Sequence, residues 1–153
     1  MTKVLLLSAL SARRGRAPWW DDAAWELVQN INSQVMPHYY KAKLAADEAL
    51  TVLGEERVKR DGKFSYVILR PGMLTDEEEK GLVDLGKTAA RGSVTRADVA
   101  DVAARLLEVG GVNGWLDLLN GNEPAQEAVE RVAREGVDCR DGEDIGVMKA
   151  NLA

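Results

Sequence analysis

Three short apolar runs, each trailed by residues of helical character, constrain this chain more than any other feature: Val4–Leu7, Phe64–Leu69 and Trp115–Leu119. Runs this short suit strands covered on both faces, as in a parallel sheet. Between them the helical signals are clear. Asp21 or Asp22 is placed to cap a helix reaching about Val35, and Pro37 punctuates it. Tyr39–Leu53 is the best helix, with Tyr39, Ala42, Ala46, Ala49, Leu50 and Leu53 on one apolar face and Gly54 as the expected stop. Thr95-Arg96-Ala97-Asp98 reads as a capping box ahead of Val99, Val102, Ala103 and Leu106, with Gly110-Gly111 closing that helix. Pro124 falls in the first turn of a last helix that buries Ala125, Ala128, Val129, Val132 and Ala133 and stops at Gly136. Arg70-Pro71-Gly72 ends the second strand; residues 75–80 read as a charged loop or short helix, and 84–91 as irregular. The order strand, helix, helix, strand, helix, strand, helix predicts an α/β fold with a short, mostly parallel sheet and flanking helices. A strand opening at Lys3 is expected at a sheet edge.

Composition excludes several functions. The 153 residues carry 20 Lys and Arg against 25 Asp and Glu, a net charge of −5, which argues against the basic face of a nucleic-acid binder. Cys139 is the lone cysteine and His38 the lone histidine, so no intrachain disulfide and no cysteine- or histidine-built metal site is expected. No apolar run approaches the ~18 residues of a membrane helix, and no secretory cleavage site follows the apolar start. The expectation is a cytoplasmic chain without membrane, nucleic-acid or metal partners.

Tyr39 and Lys43 stand four apart on the strongest helix, so both tips share one face. An ammonium beside a phenol favours the phenolate, which suits a general acid or base. Ser8 ends a strand, where α/β proteins place ligands. In order along the chain come Ser8, then Tyr39-Tyr40-Lys41-Ala42-Lys43-Leu44-Ala45-Ala46-Asp47-Glu48, then Tyr66-Val67-Ile68-Leu69-Arg70-Pro71-Gly72, then Thr95-Arg96-Ala97-Asp98-Val99-Ala100. This set resembles the C-terminal half of an atypical short-chain dehydrogenase/reductase of the NmrA-like, NAD(P)H-binding branch, from about Val4 to Val109.

The resemblance implies a partial Rossmann-like three-layer fold over residues 1–136, with 137–153 as an acidic tail lying loosely on the surface. It implies an NAD(P)-binding oxidoreductase-like protein moving hydride to or from a small carbonyl or alcohol. Ser8 and Tyr39 would hold the substrate carbonyl, and Tyr39 would donate the proton. Lys43 would bind the nicotinamide ribose and activate Tyr39; Pro71, Gly72 and Met73 would lie by the nicotinamide. Tyr40 has Leu44, not lysine, at the matching spacing, which favours Tyr39.

The sequence departs from that pattern at the phosphate end. It contains no Gly-x-Gly-x-x-Gly turn, and Gly111 and Gly114 precede a strand rather than follow one. A half-domain is therefore expected, with NAD(P) bound weakly or not at all and self-association through an exposed sheet edge. The alternative is a non-catalytic truncated homologue acting as an interaction module or NAD(P)-responsive regulator. Other residues have simpler readings than a site. Arg70 reads as an ion-pair partner behind the site, His38 as a surface residue, and Cys139 as an ordinary thiol. Asp76-Glu77-Glu78-Glu79 reads as a solvated charged run, and Trp19, Trp20 and Trp25 as core or as pocket lining.

Overall fold

The computed structural model describes residues 2–153. In chain order the elements are β1 (Lys3–Leu7), α1 (Asp22–Asn30) with a π-helical continuation over Ile31–Val35, α2 (Pro37–Arg60), β2 (Ser65–Pro71), β3 (Met73–Thr75), β4 (Leu82–Gly86), β5 (Ser93–Thr95), α3 (Arg96–Glu108), β6 (Gly114–Asn120), β7 (Glu123–Pro124), α4 (Ala125–Glu135) and α5 (Ile145–Leu152). A five-stranded sheet runs β1-β2-β6-β4-β7, and β3 pairs β5 separately. The β1–β2 and β2–β6 ladders are parallel, while β4 is antiparallel to both of its neighbours. The fold is thus the expected α/β arrangement, a mostly parallel sheet flanked by helices, and β1 is its edge.

Alternation along the strands builds two cores. Val67, Leu69, Leu116 and Leu118 face α3 and α4, where Val99, Val102, Leu106, Ala128, Val129 and Val132 meet them. Tyr66, Ile68 and Trp115 face the other way, toward Val52 of α2 and Met148 of α5. The caps follow the sequence. Asp21 Oδ1 accepts from the Ala24 amide at 2.8 Å. Thr95 Oγ1 accepts from the Asp98 amide at 2.9 Å. Gly136 ends α4 in the left-handed region, φ 63°. Pro124 sits one residue before α4, as its cap.

Several expectations are corrected. Within residues 84–91, expected to be irregular, lies most of β4, whose Val83 and Leu85 bury while Leu82 and Asp84 point out. Two inward residues between Gly81 and Gly86 gave too short a pattern to read. Strand β2 continues through Arg70 and Pro71, because Arg70 is buried with its charge satisfied and the Pro71 carbonyl accepts from the Leu10 amide. The segment from Val137 is not loose. The Cys139 amide donates to the Trp115 carbonyl at 2.8 Å, Met148 is buried, and α5 packs on α2.

Helix α2 holds two surprises. It runs through Gly54 to Arg60. Its buried positions are Leu44, Asp47, Glu48, Thr51, Val52 and Gly54, whereas Tyr39, Ala42, Ala46 and Leu53, expected inside, are exposed. Hydrophobic periodicity was outweighed by charge pairing. Glu48 accepts from the Arg14 guanidinium and, at 3.0 Å, from Asn151 Nδ2. Asp47 is held by Ser8 and Arg70. Gly54 is a close-approach residue, since a Cβ there would lie 2.6 Å from Cδ1 of the buried Tyr66 ring. Gly54→Ala is therefore expected to lower stability by about 1–3 kcal/mol through overpacking, read from the urea midpoint. A gain of about 1 kcal/mol, the ordinary propensity effect in a helix interior, would contradict the contact.

Candidate functional site

The carboxyl end of β1 and the first three turns of α2 carry the candidate site. Three side chains meet there because α2 packs antiparallel across β2 and presents one residue per turn to the end of β1. Ser8 Oγ donates to Asp47 Oδ2 at 2.6 Å. One turn earlier, Lys43 Nζ donates to the Leu7 carbonyl at 3.1 Å. The same ammonium lies 5.5 Å from the centroid of the Tyr39 ring, a further turn back. Tyr39 is 44% exposed, so its phenol is open to a ligand. The structure thus brings Ser8, Lys43 and Tyr39 into one array, with Lys43 bridging tyrosine and strand end.

Beneath the array Arg70, expected as an ion-pair partner behind the site, sits in a charge cluster whose two carboxylates sequence reasoning missed. Arg70 is fully buried at the end of β2. Its Nη1 donates to Asp47 Oδ2 at 2.6 Å and its Nε to Asp117 Oδ1 at 3.2 Å. Its Nη2 donates to the Leu10 and Ala12 carbonyls at 3.2 and 2.9 Å. The guanidinium lies 4.2 Å from the Trp115 ring centroid. Burial opposes its charge, but Asp117 and Asp47 outweigh burial and raise its pKa. Burial pushes Asp47 up to about 6, against the pull of Arg70 and the Ser8 hydroxyl. Asp117 is likewise pushed up to about 6 by burial, with Arg70 and Arg13 opposing. Asp47 Oδ1 is buried without a hydrogen-bond partner.

Arg13 ties this cluster to the C-terminal segment. Its Nη1 donates to the Cys139 carbonyl at 2.6 Å and its Nη2 to the Asp141 carbonyl. Its guanidinium lies within 6 Å of the Trp19, Trp20 and Trp115 rings. Trp19 and Trp20 both donate to the Thr88 carbonyl at 2.8 Å and act in packing, whereas Trp25 lines a cavity of 280 Å³ with Asn32 and Tyr40. Burial, reinforced by Asp117, pushes the Cys139 thiol well up, which leaves it unreactive. One signal for the cluster was present in the sequence: Asp117 inside Trp115–Leu119, and Arg70 after Val67-Ile68-Leu69, are charges in apolar strands and so require partners.

Pro71, Gly72 and Met73 form the turn leaving β2. The Gly72 amide donates to the Leu118 carbonyl at 3.0 Å. A Cβ on Gly72 would lie 2.5 Å from Leu119 Cδ2 and 2.6 Å from the Gly92 carbonyl oxygen, so this glycine serves packing rather than an open cradle. Met73 is 74% exposed. No group of three or more His, Cys, Asp and Glu side chains suited to a metal occurs among the described residues, and Asp76–Glu79 lies outside any such group. No helix of the described residues is long and apolar enough to cross a membrane.

The strand order, with α3 and α4 on one sheet face and α2 and α5 on the other, makes a Rossmann-like α/β fold. The family model described as NAD(P)H-binding matches residues 2–109, and the chain belongs to that family. It is similar to a Bacillus subtilis protein named as an uncharacterized sugar epimerase, 36% identical over 105 residues that make up 68% of this chain and 44% of that protein. It is also similar to a UPF0659 protein of Schizosaccharomyces pombe, 30% identical over 83% of this chain and 50% of that protein. Among solved structures, an oxidoreductase from Lactococcus lactis superposes with a TM-score of 0.60 at 27% identity, over 85% of this chain and 51% of that one. The chain spans about half the length of the relatives it matches.

The residues present fit NAD(P) at one end. Lys43 Nζ, between the Leu7 carbonyl and the Tyr39 ring, would be the group to take a ribose hydroxyl. At the other end, the loop from β1 into α1 carries a single glycine, Gly15. This glycine is closed off, its Cβ position lying 1.9 Å from the Gly142 carbonyl oxygen.

The buried cluster sets a stability prediction. Arg70→Met leaves two carboxyl groups without their cation and is expected to cost about 3–5 kcal/mol at neutral pH. Carboxylates whose folded pKa lies above the unfolded value contribute stability that is full below about pH 4 and lost as pH rises through about 6. Without Arg70 both pKa values rise further, so the variant's deficit should be smaller at pH 5 than at pH 8 in urea unfolding. An equal deficit at both pH values would contradict the assignment.

Proposed function

We propose that this chain carries the nicotinamide- and substrate-facing residues of an NAD(P)-dependent oxidoreductase-type site that acts on a small carbonyl or alcohol. The observation that carries the reading is Lys43, whose ammonium joins the Leu7 carbonyl to the Tyr39 ring one residue from Ser8. NAD(P), when bound, supplies the hydride acceptor or donor. In the oxidising direction Tyr39 takes the hydroxyl proton of the substrate as hydride leaves its carbinol carbon, and in the reducing direction Tyr39 returns that proton to the carbonyl oxygen. Lys43 holds the ribose, and Pro71, Gly72 and Met73 bound the nicotinamide side. Ser8 orients the substrate oxygen, for which it must turn its proton away from Asp47. The free Cys139 accords with a cytoplasmic setting.

A second reading, a non-catalytic relative that works by association or as an NAD(P)-responsive regulator, is favoured by that same Ser8–Asp47 bond. In this geometry the hydroxyl proton is committed to a buried carboxylate. Cofactor affinity is weak on either reading, because each charge-assisted bond to the pyrophosphate contributes about 1.5–3 kcal/mol.

Calorimetric titration with NADPH and NADH tests the proposal. The expected result is binding near the millimolar range that Lys43→Ala weakens further. Tyr39→Phe should leave binding intact and lower NADPH-dependent carbonyl reduction by about 10²–10⁴-fold. Binding without turnover would favour the regulator. Binding indifferent to Lys43→Ala would overturn the site.

A further inference from the structure

The hydrogen bond between Ser8 and Asp47 has a direction, and one proton sets it. Ser8 Oγ lies 2.6 Å from Asp47 Oδ2, and both residues are buried. That separation is usual for a hydroxyl donating to an ionised carboxylate. Oδ2 also accepts from Arg70 Nη1, whereas Oδ1 is buried with no hydrogen-bond partner. A hydroxyl carries one proton and two lone pairs; an ionised carboxylate carries only lone pairs, and a protonated one has a proton of its own to donate. Two arrangements follow. With Asp47 ionised, the Ser8 proton points inward and Ser8 meets a ligand only as an acceptor. With Asp47 protonated, the added proton belongs on Oδ2, where Ser8 Oγ is within reach to accept it. On Oδ1 it would be a buried donor without a partner. Ser8 Oγ then accepts from Asp47, and the Ser8 proton is free to turn away from the carboxyl.

We propose that Asp47 is a positioning residue of this site, whose protonation turns Ser8 from an acceptor into a donor toward the oxygen of a carbonyl ligand. The inference rests on the reading of Ser8 as the group that meets the substrate oxygen. A carbonyl oxygen offers lone pairs only, so the donor form of Ser8 pairs with it and the acceptor form does not. The single proton of an alcohol is the one Tyr39 must take, and the acceptor form of Ser8 competes for it. Protonated Asp47 therefore serves both directions of the reaction. The switch binds one solvent proton at Oδ2 and forms no other covalent bond.

The surroundings of Asp47 allow it to titrate. Burial pushes it up to about 6 against the opposing pull of Arg70 of β2, the Ser8 hydroxyl and Lys43 one turn back on α2. Glu48, the next residue on α2, is turned to Arg14 instead. Asp117 of β6, Arg13 of the loop after β1, and Cys139 and Glu143 of the C-terminal segment act on Arg70 in turn. A group with a midpoint near 6 loses about a hundredfold of its protonated fraction between pH 5 and pH 8.

NMR of the full chain without cofactor tests the switch. Ser8→Ala removes the donated proton that favours the carboxylate, so the carbon-13 midpoint of Asp47 should rise by about one pH unit. In the wild type the Ser8 hydroxyl proton should be resolved at pH 8 and lost to exchange at pH 5. An Asp47 midpoint indifferent to Ser8→Ala, or a Ser8 hydroxyl still bonded at pH 5, would overturn the proposal. Turnover reads the ligand side. The kcat/KM for NADPH-dependent reduction of 4-nitrobenzaldehyde should fall about a hundredfold from pH 5 to pH 8, and Asp47→Asn, which cannot ionise, should flatten that profile. A profile that survives Asp47→Asn in folded protein contradicts the switch. No turnover at any pH contradicts the proposed function instead, and the two NMR readouts then decide the switch by themselves.

Discussion

The ion pairs of Arg70 with Asp47 and Asp117 organise this molecule. A guanidinium at the end of the interior strand β2 cannot be buried alone, and its two carboxylates come from different elements, α2 and β6. Satisfying Arg70 fixes the rotation of α2 about its own axis. That rotation puts Asp47 under Ser8, Lys43 on the Leu7 carbonyl and Tyr39 in the open. It also leaves Leu53, Ala42 and Ala46 exposed. The candidate site is thus a consequence of one buried charge.

The cluster carries a functional constraint as well. Asp47 holds the Ser8 proton while Lys43 bridges to Tyr39, so the side of the site that would orient substrate is coupled to the protonation of a buried carboxyl. Arg13 extends the same logic to the C-terminal segment, whose Cys139 and Asp141 carbonyls it ties to the tryptophans behind the site. Residues after Val137 close the back of the cluster and carry part of its burial.

The α/β class was legible because β1, β2 and β6 are nearly pure apolar runs and their helices are capped by conventional side chains such as Asp21 and Thr95. The array of Ser8, Tyr39 and Lys43 was legible because i, i+4 spacing and strand ends are local features. The orientation of α2 was not, since its apolar stripe and its charged stripe are both continuous and only the unseen partners Arg70, Arg14 and Ser8 decide between them. Gly54 misled for a similar reason. A glycine after an apolar face looks like a helix stop until Tyr66, twelve residues on, is known to lie against it. Asp117 was visible as an anomaly in its strand, but its partner lies 47 residues away.

The central claim is that a buried, shared guanidinium holds Asp47 and Asp117 in a water-poor setting beneath the site. Carbon-13 NMR titration of the side-chain carboxyls tests it directly. The account predicts that both resonances titrate near pH 6, well above the ordinary aspartate value, and that they shift together because both carboxyls contact one cation. Midpoints near 4 for the two groups, titrating independently, would contradict it.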